Sequence, residues 1–127
     1  MNAQQISINA VQPTPEQLQT FLATDFGGPI VMVNLLKFKP DGGREEYARY
    51  SQGVVPLLES VGGKVLFAGD AKFCLIGNGD WDAVALAQYP NPQAMIKMVS
   101  LPAYQEIHKH REAGLQGQVN YAVVQTQ

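Results

Sequence analysis

The stretch that decides the fold is IVMVNLLKF, which runs from Ile30 to Phe38 between Pro29 and Pro40. Its β-branched start and nearly continuous apolar character predict a β-strand. A strand that is apolar on both of its faces is covered on both faces. The stretch therefore predicts a β-strand that is covered on both of its faces.

Two long segments with helical periodicity follow this strand. The first runs from Arg44 to Val61, with apolar residues at steps of three and four along one stripe. Pro56 lies inside it and predicts a kink or a split into two helices. The second segment begins at Asn91, pauses at Pro102 and ends before Gly114, with Asn91 as its capping residue.

Further strand-like runs lie between and after these helices. Residues 64–71 and 72–77 are two short runs that join into one bent strand or stand apart, and residues 81–89 and 118–125 are two more. At the start of the chain, the Thr14–Gln17 stretch has the pattern of a capping box, which predicts a short helix after an extended arm at residues 1–13.

The resulting order is one helix followed by βαββαβ, which is typical of the α+β, ferredoxin-like fold, with a four-stranded antiparallel sheet and two helices on one face. We divide the chain into an N-terminal arm and helix (residues 1–27) and a ferredoxin-like domain (residues 28–127).

The sheet face that the helices leave uncovered needs a cover, and a second copy of the chain is the simplest one. The sequence thus predicts a homodimer with the form of a dimeric α/β barrel. The alternative is a modest exposed patch around Met32 and Leu36.

Composition limits the classes of function. The 127 residues carry a net charge of -2, which argues against a nucleic-acid binder. No apolar run is long enough for a membrane span, and the N-terminus lacks the pattern of a secretory signal. Cys74 is the only cysteine, so a disulfide framework is excluded within one chain, and we interpret Cys74 as an inert core thiol. We expect a cytoplasmic protein.

The most suggestive polar group lies on the second long helix. Tyr104, His108 and Arg111 share one helical stripe. An imidazole is a natural acid or base near neutral pH, and an arginine fork suits a carboxylate. The alternative is an ordinary amphipathic helix with His108 and Arg111 at its edge. His110 falls on the opposite side, and we expect it to be solvated.

Other candidates lie on the sheet and on the first long helix. Asn34 interrupts an apolar strand, so it either points into a ligand pocket or ties down a loop or bulge. Tyr47 and Tyr50 lie on the core stripe and either pack or line a pocket with their hydroxyls. Trp81 is interpreted as an edge or interface anchor at the start of a strand. No metal site and no tightly held cofactor are expected, since metal-ligand spacing and phosphate-binding motifs are missing.

Several motifs occur along the chain: PIVMVNLLKF at 29–38, EYARY at 46–50, GGKVL at 62–66, WD at 81–82, YQEIH at 104–108 and Arg111. Together they resemble the domain-of-unknown-function family numbered 1330. The resemblance covers about residues 28–124 and implies a ferredoxin-like fold and a dimeric α/β barrel, without an established reaction. The wider superfamily includes cofactor-independent monooxygenases, isomerases and stress-response barrels. In position, Asn34 and His108 resemble an Asn and a His that some of its members use, whereas Trp81 lies on a different element.

Two functional hypotheses remain open from the sequence. The first is a cofactor-independent oxygenase or isomerase for a small aromatic or carboxylated compound. In it, Asn34 orients a substrate oxygen and His108 moves a proton. The second is a non-catalytic ligand-binding or stress-response barrel. The candidate substrate-binding residues are Tyr47, Tyr50, Trp81, Tyr104 and Arg111.

Overall fold

A computed structural model describes residues 10–127, so most of the predicted extended arm, residues 1–9, lies outside the described residues. The order of elements agrees with the sequence-based prediction, with boundaries shifted by a few residues. The elements are α1 (Pro15–Ala23), β1 (Ile30–Phe38), α2 (Gly43–Ser60), β2 (Lys64–Asp70), β3 (Ala83–Tyr89), α3 (Pro92–Val99), α4 (Pro102–Gly114) and β4 (Leu115–Val123).

The four strands form one antiparallel sheet in the order β2-β3-β1-β4. β1 lies in the interior of this sheet, between β3 and β4. The α+β, ferredoxin-like prediction is therefore confirmed. The Thr14 capping box at the start of α1 is also confirmed, since Thr14 Oγ1 accepts a hydrogen bond from the Gln17 amide and Gln17 Oε1 accepts one from the Thr14 amide.

One face of the sheet is covered by the helices. Met32 and Leu36 point towards this helix face and are buried. The alternative that placed these two side chains in an exposed patch is therefore wrong, because the even-numbered side chains of β1 face the helices and the odd-numbered ones face the other side of the sheet. The main core combines β1 and β3 side chains with helix side chains: Ile30, Met32, Tyr50, Leu58, Tyr89, Ala94, Met98 and Tyr104.

The opposite face of the sheet carries large apolar side chains and no helix. Val33 pairs with Leu86 on β3 and with Tyr121 on β4, and residues paired directly across antiparallel strands share a face. β3 places Ala83, Ala85 and Ala87 under the helices and Val84 and Leu86 on this other side. We call this surface the open face; its members are Val31, Val33, Leu35, Phe67, Val84, Leu86, Val119, Tyr121 and Val123.

Close packing of α2 against α4 depends on glycines. A Cβ atom on Gly53 would lie 2.7 Å from the Ile107 side chain, and one on Gly114 would lie 2.7 Å from the Gly43 carbonyl oxygen. These contacts bring the start of α2 to the end of α4. Pro56 lies inside a continuous α2, so the predicted split into two helices is wrong.

The connection between β2 and β3 differs from the prediction. Residues 72–77 form a loop instead of a strand, because no neighbouring strand supplies hydrogen bonds; the Ala71 amide bonds the Asp82 carbonyl at the base of the loop. Phe73, Leu75 and Ile76 are 83%, 80% and 89% exposed. Cys74 is exposed as well, so its interpretation as a core thiol is wrong.

Candidate functional site

Asn34 lies at the middle of β1, on the helix face of the sheet, and is half-buried. Its neighbour on β3 is Ala85, whose small side chain leaves room for the amide. Asn34 Nδ2 donates hydrogen bonds to the carbonyl oxygens of Ala85 at 3.2 Å and Met32 at 3.3 Å. Its Oδ1 accepts one from Gln118 Nε2 at 2.7 Å. Every polar atom of this side chain is therefore paired.

Arg111 continues this chain of hydrogen bonds from α4. Its Nη2 donates to Gln118 Oε1 and, at 2.6 Å, to the carbonyl oxygen of Val11. Arg111 and Gln118 are both half-buried. We call the series Arg111–Gln118–Asn34 the polar relay. It places a cation and two amides between a helix and the centre of the sheet.

Tyrosine rings form a second group between α2 and α4. The hydroxyl oxygens of Tyr50 and Tyr104 lie 2.9 Å apart, and both residues are buried. The Tyr50 ring centroid lies 5.3 Å from that of Tyr47 and 6.0 Å from that of Tyr104, with the second pair at 85°. Such tilted and edge contacts are favourable arrangements for aromatic rings.

Burial controls the ionisation of these tyrosines. It raises the pKa of Tyr47 to about 12, even though the nearby Arg111 guanidinium acts to lower it. Burial also raises the pKa of Tyr50 well above its usual range, and charge repulsion from Tyr104 and the hydrogen bond between the two hydroxyls add to this effect. Both side chains are therefore neutral phenols near neutral pH.

His108 lies at the edge of the tyrosine group. Its ring centroid is 5.8 Å from that of Tyr104, so the predicted stripe of Tyr104 and His108 on one side of α4 is present. His108 Nδ1 lies 3.0 Å from Glu112 Oε1 on the same helix. No hydrogen bond joins His108 to Asn34 or Arg111 among the described residues. The two predicted catalytic residues are thus not hydrogen-bonded to each other.

His110 has a structural partner that its helical position did not suggest. Its Nδ1 lies 2.7 Å from Glu46 Oε2 on α2, and its side chain is only 27% exposed. The expectation that His110 is solvated is wrong, because α2 packs against that side of α4. The hydrogen bond from His110 lowers the pKa of Glu46, and the Arg49 guanidinium adds to this effect.

Trp81 belongs to neither the polar relay nor the tyrosine group. It lies in the loop before β3 and is half-buried, so β3 begins two residues later than the predicted start at Trp81. Two surface clefts also lie away from the polar relay: one of about 360 Å³ beside residues 22–28 and one of about 500 Å³ beside Lys37 and Arg44. No cluster of metal-ligating side chains occurs within residues 10–127, and no helix there is long and apolar enough to cross a membrane.

Gln118 is the residue of the polar relay that the sequence analysis did not identify. A signal was available, because β4 alternates between polar residues and the apolar Val119, Tyr121 and Val123. The polar positions Gln118 and Asn120 pair with Leu36 and Asn34, which places them on the helix face. Polar residues facing the covered side of a sheet are unusual and mark a polar group there.

Family membership follows from the sequence over most of the fold. Residues 42–126 match the model of DUF1330, a domain of unknown function. The chain belongs to this family. The match begins at α2 and ends after β4, so it spans both long helices and three of the four strands.

Solved structures with similar folds include another protein of unknown function. RPA0582 from Rhodopseudomonas palustris is 33% identical, with 94% of this chain and 98% of that chain covered and a TM-score of 0.85. A dimeric ferredoxin-like protein of unknown function from Jannaschia sp. CCS1 is 12% identical, with 77% and 100% covered and a TM-score of 0.65.

A third structure carries a suggested activity of its own. It comes from Bacteroides thetaiotaomicron, and antibiotic biosynthesis monooxygenase activity has been suggested for it. It is 14% identical, with 77% of this chain and 90% of that chain covered and a TM-score of 0.58. Similarity at this level concerns the fold alone. No curated protein matches the chain.

Proposed function

We propose that the chain is a cytoplasmic, homodimeric α/β barrel protein that binds a small aromatic or carboxylated compound beside the polar relay. One observation carries the proposal: the half-buried Arg111 is hydrogen-bonded through Gln118 to Asn34 at the centre of the sheet. Core packing does not require a cation and two amides there, since desolvating such groups costs free energy. A ligand with hydrogen-bond acceptor groups would explain why these polar side chains lie there.

The tyrosine group supports an aromatic ligand. The Arg111 guanidinium lies near enough to Tyr47 to act on the pKa of its phenol, and the Tyr47 ring contacts that of Tyr50, so aromatic rings lie beside the relay. Binding sites for small molecules commonly combine apolar walls with a few placed polar groups. Trp81 remains a proposed contact at the edge of the sheet or at the subunit interface.

The homodimer is supported by the open face. It joins half-buried valines and leucines to the exposed Phe67 and Tyr121, which are 58% and 66% exposed. Exposed apolar areas of this kind are typical of interaction sites. The loop after β2 carries further exposed apolar side chains, at Phe73, Leu75 and Ile76. The Jannaschia protein with the same fold is described as dimeric.

Catalysis is the narrower form of the proposal. In this form, Asn34 orients a substrate oxygen and His108 transfers a proton in an isomerase or cofactor-independent oxygenase reaction. The pairing of His108 with the half-exposed Glu112 leaves the imidazole near the protein surface. Once a substrate is found, His108→Ala should abolish turnover and leave the melting temperature nearly unchanged.

A non-catalytic binding or stress-response barrel is the second candidate. It is favoured by the complete pairing of Asn34 with Gln118, Ala85 and Met32, which leaves no amide atom for a substrate without rearrangement. A thermal-shift screen of aromatic and carboxylated compounds tests both candidates, since a ligand that binds the folded state raises the melting temperature. Arg111→Gln should remove the shift, whereas Arg49→Gln on the helix surface should preserve it. A screen without any Arg111-dependent shift would contradict the proposal.

A further inference from the structure

Arg111 differs from the other two arginines in its partners. Arg44 pairs with Asp70 at 2.7 Å and Arg49 pairs with Glu46 at 2.6 Å. Within residues 10–127, Arg111 has no carboxylate partner, and residues 1–9 contain no Asp or Glu. A half-buried guanidinium without a counter-charge attracts anions.

Backbone atoms of the N-terminal segment occupy the position beside Arg111. The Val11 carbonyl accepts a hydrogen bond from Arg111 Nη2 at 2.6 Å, and the Ala10 carbonyl accepts one from the Gln118 amide at 2.8 Å. The Val11 side chain packs against the small cluster of Leu36, Ala83 and Leu115. We call residues 10–11 the N-terminal strap. It lies along the outer edge of β4 and covers one side of the polar relay.

We propose that Arg111 binds a ligand carboxylate in the position that the Val11 carbonyl occupies, so that the ligand and the N-terminal strap compete for the same guanidinium. The inference deepens the proposed function and rests on it for the location of the ligand. It adds the anchoring group, the ligand class of aromatic carboxylates, and the segment that must move.

The chemistry of the two acceptors favours exchange. A carbonyl oxygen is neutral, whereas a carboxylate carries a charge and accepts two parallel hydrogen bonds from a guanidinium. Arg111 has more N–H groups than its contacts to Val11 and Gln118 use. A carboxylate therefore supplies the missing counter-charge and engages donors that the strap leaves unused.

The strap is also suited to local release. Within residues 10–127, two backbone carbonyl contacts and one half-buried valine side chain attach it to the domain. Segments with few buried contacts open at a smaller free-energy cost than the whole fold. Replacing Val11 by Ser weakens the apolar attachment and leaves the backbone carbonyl in place.

Calorimetric titration with benzoate tests the competition on the full chain. Val11→Ser should bind benzoate about five-fold more tightly than the wild type, because a larger fraction of molecules then has the strap released. Val124→Ser, at an exposed valine after β4, is the matched control and should bind as the wild type does. Arg111→Gln should lose binding, and Arg111→Lys should recover part of it.

Hydrogen exchange at the Gln118 amide gives a second readout that does not depend on a folded variant. Benzoate should accelerate this exchange in the wild type, because the bond to the Ala10 carbonyl is released. Benzoate could bind through Arg111 while Val11→Ser binds it no more tightly than the wild type and exchange at the Gln118 amide stays unchanged. That result would overturn the competition between ligand and strap and would leave the proposed function standing. Absence of benzoate binding in the wild type and in a folded Val11→Ser variant would overturn both.

Discussion

Gln118 donates a hydrogen bond from Nε2 to Asn34 Oδ1 across 2.7 Å, and this contact sets the orientation of both amides. With Nε2 directed at Asn34, Gln118 Oε1 faces Arg111. With Oδ1 directed at Gln118, Asn34 Nδ2 faces the Ala85 carbonyl. The relay therefore has a single direction, from the guanidinium to the backbone of β3.

Replacing Gln118 by Met should destabilise the protein by about 1–3 kcal/mol, since it leaves Asn34 Oδ1 without a donor and removes an acceptor from Arg111. Urea denaturation at fixed protein concentration measures this change. Gln116→Met is the matched control, because Gln116 lies on the same strand and is exposed. Equal stability of the two variants would contradict the account of the relay.

The Tyr50–Tyr104 hydroxyl pair should show strong coupling in a double-mutant cycle. Either Tyr→Phe change leaves the other buried hydroxyl without its partner, at an expected cost of about 1–2 kcal/mol. The double variant should lose less than the sum of the two, because no orphaned hydroxyl remains. Additive losses would show that the two hydroxyls do not depend on each other.

Local patterns in the sequence predicted most of the fold. The capping box at Thr14 identified the start of α1, because both of its hydrogen bonds lie within four residues. The apolar stripe of α2 likewise predicted the side that faces the core, where Tyr50 and Leu58 are buried. These features depend on neighbours in the chain and need no knowledge of tertiary contacts.

The open face predicts that one charge in its middle prevents dimer formation. Leu86→Asp should shift the protein from dimer to monomer, since a twofold interface would bury the carboxylate twice. Size-exclusion chromatography with light scattering measures the mass. Ala48→Asp on the exposed side of α2 is the control and should remain dimeric. A dimeric Leu86→Asp variant would place the interface elsewhere.

Predictions that depended on tertiary partners were less accurate. An uninterrupted apolar run does not reveal which of its residues face the helices, so the exposed-patch alternative placed Met32 and Leu36 on the wrong face of the sheet. Residues 72–77 have β-propensity without a strand beside them, and propensity alone does not form a ladder. His110 was misread because a helical wheel contains no information about Glu46 on α2.

Acid stability should depend on Glu46. Its pKa lies below the ordinary value of 4.5 in the folded chain, chiefly through the hydrogen bond from His110. Its contribution is therefore present above pH 4.5 and is lost as the pH falls through the lowered pKa of the folded state. Glu46→Gln should flatten the fall in melting temperature below pH 4.5.

Glu45→Gln is the control for this experiment, since Glu45 is exposed and has no ion pair among residues 10–127. This variant should keep the wild-type pH profile. If Glu46→Gln also keeps that profile, the bridge between α2 and α4 does not contribute to acid stability.

The central claim is a homodimer that holds a small anion at Arg111. A native mass spectrum of the full chain with benzoate, recorded beside the Arg111→Gln variant, tests it most directly. We expect a dimer of 13.8 kDa subunits in both samples, with the added mass of benzoate only in the wild type. A monomer, or the same added mass in both samples, would contradict the account.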